Sequence, residues 1–160
     1  VFAAYGTKLR ELCTSIPSPF LSLKGISNVA LAQPGIISLS LDAFENYEKA
    51  QVEMDFLGQQ LATQQQAISQ CALIIVCDDA AFAAAHLNNF LWISFTRCNP
   101  SHDIYGVDSF THNKHWGCNG PLIIDARIKP HHAPPLVLDP EAEKRIDRLW
   151  EKGGSLYGLK

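Results

Sequence analysis

The stretch from Leu73 to Asp103 constrains the fold of this chain more than any other. Five apolar residues, Leu73-Ile74-Ile75-Val76-Cys77, run straight into two acids, Asp78 and Asp79. A segment that is apolar at every position has no solvent face, so it reads as a strand of a parallel sheet covered by helices on both sides. From His86 to Arg97 the pattern becomes helical, with Leu87, Phe90, Leu91, Ser94 and Phe95 near one face and Trp92 beside them. Pro100 ends that helix. Strand, acidic tip, helix, Arg97, turn and Asp103 follow one another as a βα unit with charge at its ends.

The flanking segments extend this pattern. A short helix is expected over residues 8–13, followed by a loop in which Pro17 and Pro19 forbid regular helix. Two extended runs, 28–32 and 36–41, are separated by Gln33-Pro34-Gly35, a turn signal. Asp42 is read as an N-cap with Glu45 completing a capping box, opening a helix that continues to about Ser69. Phe44, Tyr47, Met54, Leu57, Leu61 and Ile68 form its inner face. The alanine-rich residues 80–85 are taken as loop, residues 104–107 as a short strand and 108–120 as an irregular loop. Pro121 to Asp125 reads as another apolar strand ending in an acid. A rigid Pro-rich linker, 130–135, precedes a charged amphipathic helix, 140–150, whose docking face is Ile146, Leu149 and Trp150. Strands alternating with helices predict an α/β fold: a layered, Rossmann-like, largely parallel sheet with flanking helices and a C-terminal docking helix. Residues 1–160 are expected to form one domain.

Composition excludes several classes. With 13 Lys and Arg against 16 Asp and Glu, the net charge of -3 offers no basic field for nucleic acid. No apolar run is long enough to span a membrane. Five cysteines without paired spacing fit a reducing compartment, so a cytoplasmic location is expected. The chain begins with Val1 rather than Met, so it is expected to be either processed or a piece of something longer.

Three groups of residues carry possible chemistry. Asp78 and Asp79 stand at a strand's carboxyl end, where α/β sheets gather ligands. No glycine-rich loop follows to cradle a phosphate, so the acids are assigned to capping the next helix or pairing with an arginine. His112, His115 and Cys118, with His131 and His132 downstream, have side chains that bind zinc, but the spacing matches no standard zinc site. A Cys118–His115 nucleophile dyad needs an orienting third group that proximity in sequence does not show. Arg97 and Asp103 are expected to pair and staple the end of the helix to the next strand.

The residues Asp78, Asp79, Asn88, Asn89, Trp92, Thr96, Arg97, Pro100 and Asp103 stand in a recognisable order. So does the later run from Gly120 to Gly154, with a strand ending at Asp125, a basic segment Arg127 to Pro130 and a closing helix. On these residues the chain resembles the C-terminal domain of the UbiD-type decarboxylases. Residues 70–155 carry the resemblance, and residues 1–69 match less closely. Asp78, Asp79, Asn89, Trp92, Arg97, Pro100, Asp103 and Asp125 are its structural signature. Members often have three successive acids where this chain has Asp78-Asp79-Ala80, so no cation site is carried onto the tip.

The resemblance implies a carboxy-lyase that removes or adds a carboxyl group on aromatic or unsaturated acids, such as a 4-hydroxybenzoate-type precursor of ubiquinone or menaquinone. It implies prenylated FMN with a divalent metal and potassium, bound by preceding domains of the same polypeptide. On that reading this chain supplies scaffold and subunit contacts in a homo-oligomer and holds no catalytic or metal residue; no cofactor is expected on this chain alone, and which residues would touch one is left open. Two rivals remain: a free-standing interaction module of the same fold, and a small metalloenzyme using His112, His115 and Cys118.

Overall fold

A computed structural model describes residues 6–8, 10–133 and 139–159. Among them the chain forms two compact units, Val1–Pro130 and His131–Lys160.

The first unit is built on a five-stranded sheet. β1 (Asn28–Gln33) and β2 (Ile36–Ser40) form a hairpin, followed by β3 (Leu73–Cys77), β4 (Ile104–Gly106) and β7 (Leu122–Asp125), in the spatial order β1-β2-β3-β7-β4. β2, β3 and β7 run parallel, with Ile37 opposite Ile74 and Ile74 opposite Ile123. Both edge strands are antiparallel to their neighbours. The expected largely parallel sheet is therefore a mixed one. At one edge the two-residue Pro34-Gly35 turn leads from β1 to β2; at the other, residues 107–121 connect β4 to β7, and Val107 exchanges backbone hydrogen bonds with Gly120 and Pro121 beside that pair. A two-residue return such as that between β1 and β2 allows only an antiparallel pair, whereas parallel pairs need a long crossover.

Residue parity on the strands creates two cores. Ile37, Leu39, Ile74, Val76 and Ile123 face α1 (Tyr47–Ala62), where they meet Met54, Leu57 and Leu61. Ile75 and Cys77 face the other way and pack with Ala80 and Ala83 of α2 (Ala80–Ala85) and with Phe90 and Ile93 of α3 (Leu87–Thr96). The central strand is thus buried on both sides, as its unbroken apolar run requires.

Several local expectations are corrected. Residues 6–8 and 10–13 are not helical; Cys13 instead donates to the Gln70 carbonyl and accepts from the Gly35 amide, tying this segment to the bottom of the sheet. α1 is shorter than the helix expected from Asp42 to Ser69. Its N-cap is Asn46, whose side chain accepts from the Lys49 amide. Glu45 pairs with Lys49 rather than completing a capping box. After Ala62 the chain continues in turns up to Gln70, carrying Ile68 into the core. The alanine run is helix α2, because Asp79 caps it. Residues 108–120 contain a hairpin of β5 (Ser109–His112) and β6 (His115–Cys118), turned through Asn113 and Lys114, both at positive φ.

Gly35 sits at φ +75°, and a Cβ there would lie 2.6 Å from Leu12 Cδ2. Gly35→Ala is expected to destabilise the protein by about 1–3 kcal/mol through backbone strain and displacement of Leu12. Urea unfolding checks this, and a change below about 0.5 kcal/mol contradicts it.

In the second unit, α4 (Pro140–Trp150) is capped by Asp139, which accepts from the Glu141 amide, and has Pro140 at its first turn. No residue of α4 is buried, including the expected docking residues Ile146, Leu149 and Trp150. The linker prolines Pro134 and Pro135 lie outside the described residues.

Candidate functional site

Chemistry-bearing side chains gather where β3 and β7 end. β3 delivers Asp78 and Asp79 in succession, and they separate at once. Asp79 turns to the helix, its carboxylate accepting from the Phe82 amide. Ser40 of β2 adds a second cap by accepting from the Ala80 amide at 2.7 Å. Asp78 turns to the neighbouring strand end, where one oxygen accepts from Arg97 Nη1 at 3.1 Å and from the Ile128 amide at 2.9 Å. Both sequence assignments for these acids, capping and arginine pairing, are realised. The guanidinium of Arg97 also lies 4.8 Å above the Trp92 ring, so two signature residues five positions apart hold each other.

β7 carries the chain into a buried ionic layer. Asp125, Arg127 and Lys129 follow at intervals of two, and all three are at most 1% exposed. Arg127 grips Asp125 with two nitrogens, Nε to Oδ1 at 2.9 Å and Nη2 to Oδ2 at 2.7 Å. Its Nη1 reaches Glu53 of α1 at 2.7 Å and the Asp42 carbonyl at 3.0 Å. Burial opposes the Arg127 charge, but hydrogen bonds and attraction from Asp125 and Glu53 outweigh it and raise its pKa above the usual arginine value. Lys129 Nζ lies 3.2 Å from Asp103 and donates to the carbonyls of Asp125 and Arg97. Phe44 closes over this layer, its ring 5.7 Å from Arg127 and 5.3 Å from Lys129.

The expected Arg97–Asp103 staple is therefore corrected. The two residues have different partners: Arg97 holds Asp78, and Asp103 holds Lys129. Asp103 Oδ2 also accepts from the Asn99 amide at 2.6 Å, which closes the turn carrying Pro100. The reason is steric order. Asp103 lies just before edge strand β4, and its carbonyl accepts from the Asp125 amide, which aligns its side chain with the β7 extension. Sequence reasoning named Asp125 and missed Glu53 as the further acid that shares Arg127 with it. The available signal was the alternation Asp125-x-Arg127-x-Lys129, since residues two apart on an extended chain share a face.

Asp78, Arg97, Asp103 and Asp125 of the signature, together with Arg127, Lys129 and Glu53, thus form a clamp. Asp78 through Arg97 joins β3 to α3, Arg127 joins β7 to α1, and Lys129 joins β7 to the turn before β4. Arg97, Arg127 and Lys129 are paired with carboxylates and carbonyls inside the protein. Among the described residues, only Ser94 Oγ and Asp103 Oδ1 are buried polar side-chain atoms without a hydrogen-bond partner.

Other candidates do not assemble. His112 and His115 face each other across the β5–β6 turn, but Cys118, three residues from His115 on one strand, points to the opposite side. Its sulfur packs toward Gly106, and burial pushes its pKa up, away from a reactive thiolate. His131 and His132 meet edge to face in the second unit, with ring centroids 4.6 Å apart. No group of three or more His, Cys, Asp or Glu among the described residues stands close enough to hold a metal. The thiols of Cys71 and Cys77 are pushed to about 12, mainly by burial, and are inert fillers of the two cores. A groove of about 580 Å³ lies between α1 and β4, with Tyr47, Asp55, His102, Tyr105 and Trp116 among its walls.

No family model matches the chain. It is 32% identical over 80 residues to a 4-hydroxybenzoate decarboxylase component from Chlamydia pneumoniae, covering 49% of this chain and 13% of that protein. It is 24% identical over 152 residues to an uncharacterized protein of Chlamydia muridarum, covering 95% of this chain and 24% of that one. Similar solved structures include an evolved dimeric form of the UbiD-class enzyme HmfF from Pelotomaculum thermopropionicum in complex with prFMN, at TM-score 0.48 and 18% identity, covering 79% of this chain and 26% of that one. Another is the vanillic acid decarboxylase of Sedimentibacter hydroxybenzoicus in open form, at TM-score 0.45 and 18% identity, covering 83% and 31%. The chain spans about a quarter or less of the length of the curated relatives it matches. In its signature residues and in its curated decarboxylase relative alike, this chain resembles a domain of the UbiD-type decarboxylases.

Proposed function

We propose that this chain is the C-terminal domain of a UbiD-like, prenylated-FMN-dependent carboxy-lyase that acts on aromatic or unsaturated acids, 4-hydroxybenzoate-type quinone precursors foremost. Its part is to supply a rigid scaffold and subunit contacts in a cytoplasmic homo-oligomer, while preceding domains of the same polypeptide hold the flavin, a divalent metal and potassium. The observation that carries this reading is the 32% identity to a 4-hydroxybenzoate decarboxylase component. The structure supports a scaffold role because the signature residues bind one another. The strand ends do not fit a flavin phosphate: Arg127 and Lys129 are fully engaged inside the clamp, and no open cradle of backbone amides follows β3. No step of the reaction is assigned to them.

The test is a decarboxylation assay on the native-length protein loaded with prenylated FMN, run beside the 160-residue chain with the same cofactor. Release of CO₂ from 4-hydroxybenzoate or a related aromatic acid is expected from the former alone. A native-length protein that retains prenylated FMN yet turns over no aromatic or unsaturated acid overturns the reading. So does turnover, or tight flavin binding in a spectral titration, by the 160 residues.

A further inference from the structure

The groove between α1 and β4 lies outside the clamp and has a chemistry of its own. Its volume of about 580 Å³ is that of a small-molecule site. It follows α1 from Tyr47 to Ala62, a length of roughly 22 Å at the rise of an α-helix. Tyr47, Tyr105 and Trp116 supply aromatic walls, and Asp55 and Asp108 supply carboxylates. Among the described residues, none that lines the groove is Lys or Arg.

The walls are held in place by the fold. The Tyr47 ring packs against His102, with centroids 5.1 Å apart, at the start of the helix. The β5–β6 hairpin approaches β4 so closely that a Cβ on Gly106 would lie 2.5 Å from Cys118 Cβ and 3.3 Å from the Trp116 ring. That approach sets the half-exposed indole at the groove's edge. Asp108 has φ +52°, and its Oδ2 accepts from Gln65 Nε2 at 2.8 Å and from Asn119 Nδ2 at 2.9 Å. These bonds hold its carboxyl below the usual range, so it stays ionised. Asp55 accepts from Gln51 through Oδ1 alone. Each carboxylate therefore keeps one oxygen open.

Gly58 gives an independent indication. It is buried in the middle of α1, where glycine weakens a helix. A Cβ there would meet only the Gly106 carbonyl oxygen, at an ordinary contact distance of 3.8 Å. No neighbour requires glycine at this position. Its missing side chain leaves the floor of the groove open.

We propose that this groove binds a linear polyamine, a chain of protonated amines joined by methylenes. An anion would meet Asp55 and Asp108 with no lysine or arginine to balance them. A metal ion would find no cluster of ligands among the described residues. A small monoamine would use one carboxylate and leave most of the groove empty. The carboxylates are spread along it: Asp55 stands mid-helix, and Asp108 is held by Gln65, three residues past the end of α1. An extended polycation meets both, with its ammonium groups against the aromatic faces and its methylenes along Met54 and Ala62. This site is independent of the decarboxylase reading.

Isothermal titration calorimetry at low ionic strength tests the proposal, on the native-length protein and on the 160-residue chain, with spermidine and butylamine as probes. Both proteins are expected to bind spermidine with a Kd below about 100 µM, at least about tenfold tighter than butylamine. Asp55→Asn and Asp108→Asn are each expected to weaken binding at least about fivefold with unchanged far-UV circular dichroism, since asparagine tolerates the positive φ at residue 108. Gly58→Leu fills the floor and is expected to abolish binding. Asp147→Asn, on exposed α4, is expected to bind like the unaltered protein. Absence of binding at about 1 mM spermidine overturns the proposal, as does butylamine binding equally well. Undiminished binding by Asp55→Asn, or an equal loss in Asp147→Asn, overturns it too. So does binding by the 160-residue chain that the native-length protein lacks, because the groove is then filled by the rest of the polypeptide.

Discussion

Arg127→Ala is expected to destabilise the protein by about 3–5 kcal/mol, with a fall in Tm of roughly 10 °C. The side chain is fully buried and binds Asp125 through two bonds, Glu53 through one and the Asp42 carbonyl through another. Its removal leaves the Asp125 carboxylate buried without a counter-charge, and that desolvation is the larger part of the loss. Arg127→Lys is expected to recover less than half of it, because an ammonium cannot span both Asp125 oxygens and Glu53 together. Lys49→Ala provides the contrast. Its pair with Glu45 is exposed and screened by solvent, so the unfolding midpoint is expected to stay almost where it is. Urea unfolding measures all three, and an Arg127→Ala cost under about 1 kcal/mol contradicts the clamp.

The second large effect is at Lys129. Lys129→Met removes the cation beside Asp103, whose Oδ1 already lacks a hydrogen-bond partner. The variant is expected to lose about 3 kcal/mol, since one buried carboxylate is left with only the Asn99 amide. Asp103→Asn alone is expected to cost less, because the amide oxygen still accepts from Asn99 and carries no charge. The double variant Lys129→Met/Asp103→Asn is then expected to be more stable than the sum of the single losses by about 1–2 kcal/mol. Additive losses in that cycle mean that the two side chains act independently and that the ion pair contributes nothing. Neither residue is assigned contact with substrate, so residual activity in the native-length protein is expected to follow stability rather than to vanish at constant fold.

These predictions centre on residues that differ in how plainly the sequence announced them. β3 was evident because five successive apolar residues admit no solvent face. Asp79 as a cap and Asp78 as an arginine partner followed from the acids standing between a strand and a helix. Helix α2 was missed although its cap was named, because six residues are too few for a periodic pattern. The hairpin 109–118 was missed because neither strand is buried on either face, so no alternation marks it. Its turn rests on positive φ at Asn113 and Lys114, and Lys is an unusual occupant of that region. The pairing of Asp103 was misassigned because Arg97 is its near neighbour in sequence, whereas its actual partner, Lys129, lies four residues beyond the end of β7.

The sequence alone determined the elements whose hydrophobic pattern is complete within one segment, together with the resemblance carried by its signature residues. Those are local quantities, legible from spacing. The tertiary structure alone decided that the sheet is mixed, that Arg127 and Lys129 are core residues and that a groove opens between α1 and β4. Each of these depends on which strand lies beside which. Pairing between distant segments is set by the joint packing of two cores, and no single window of sequence contains that information.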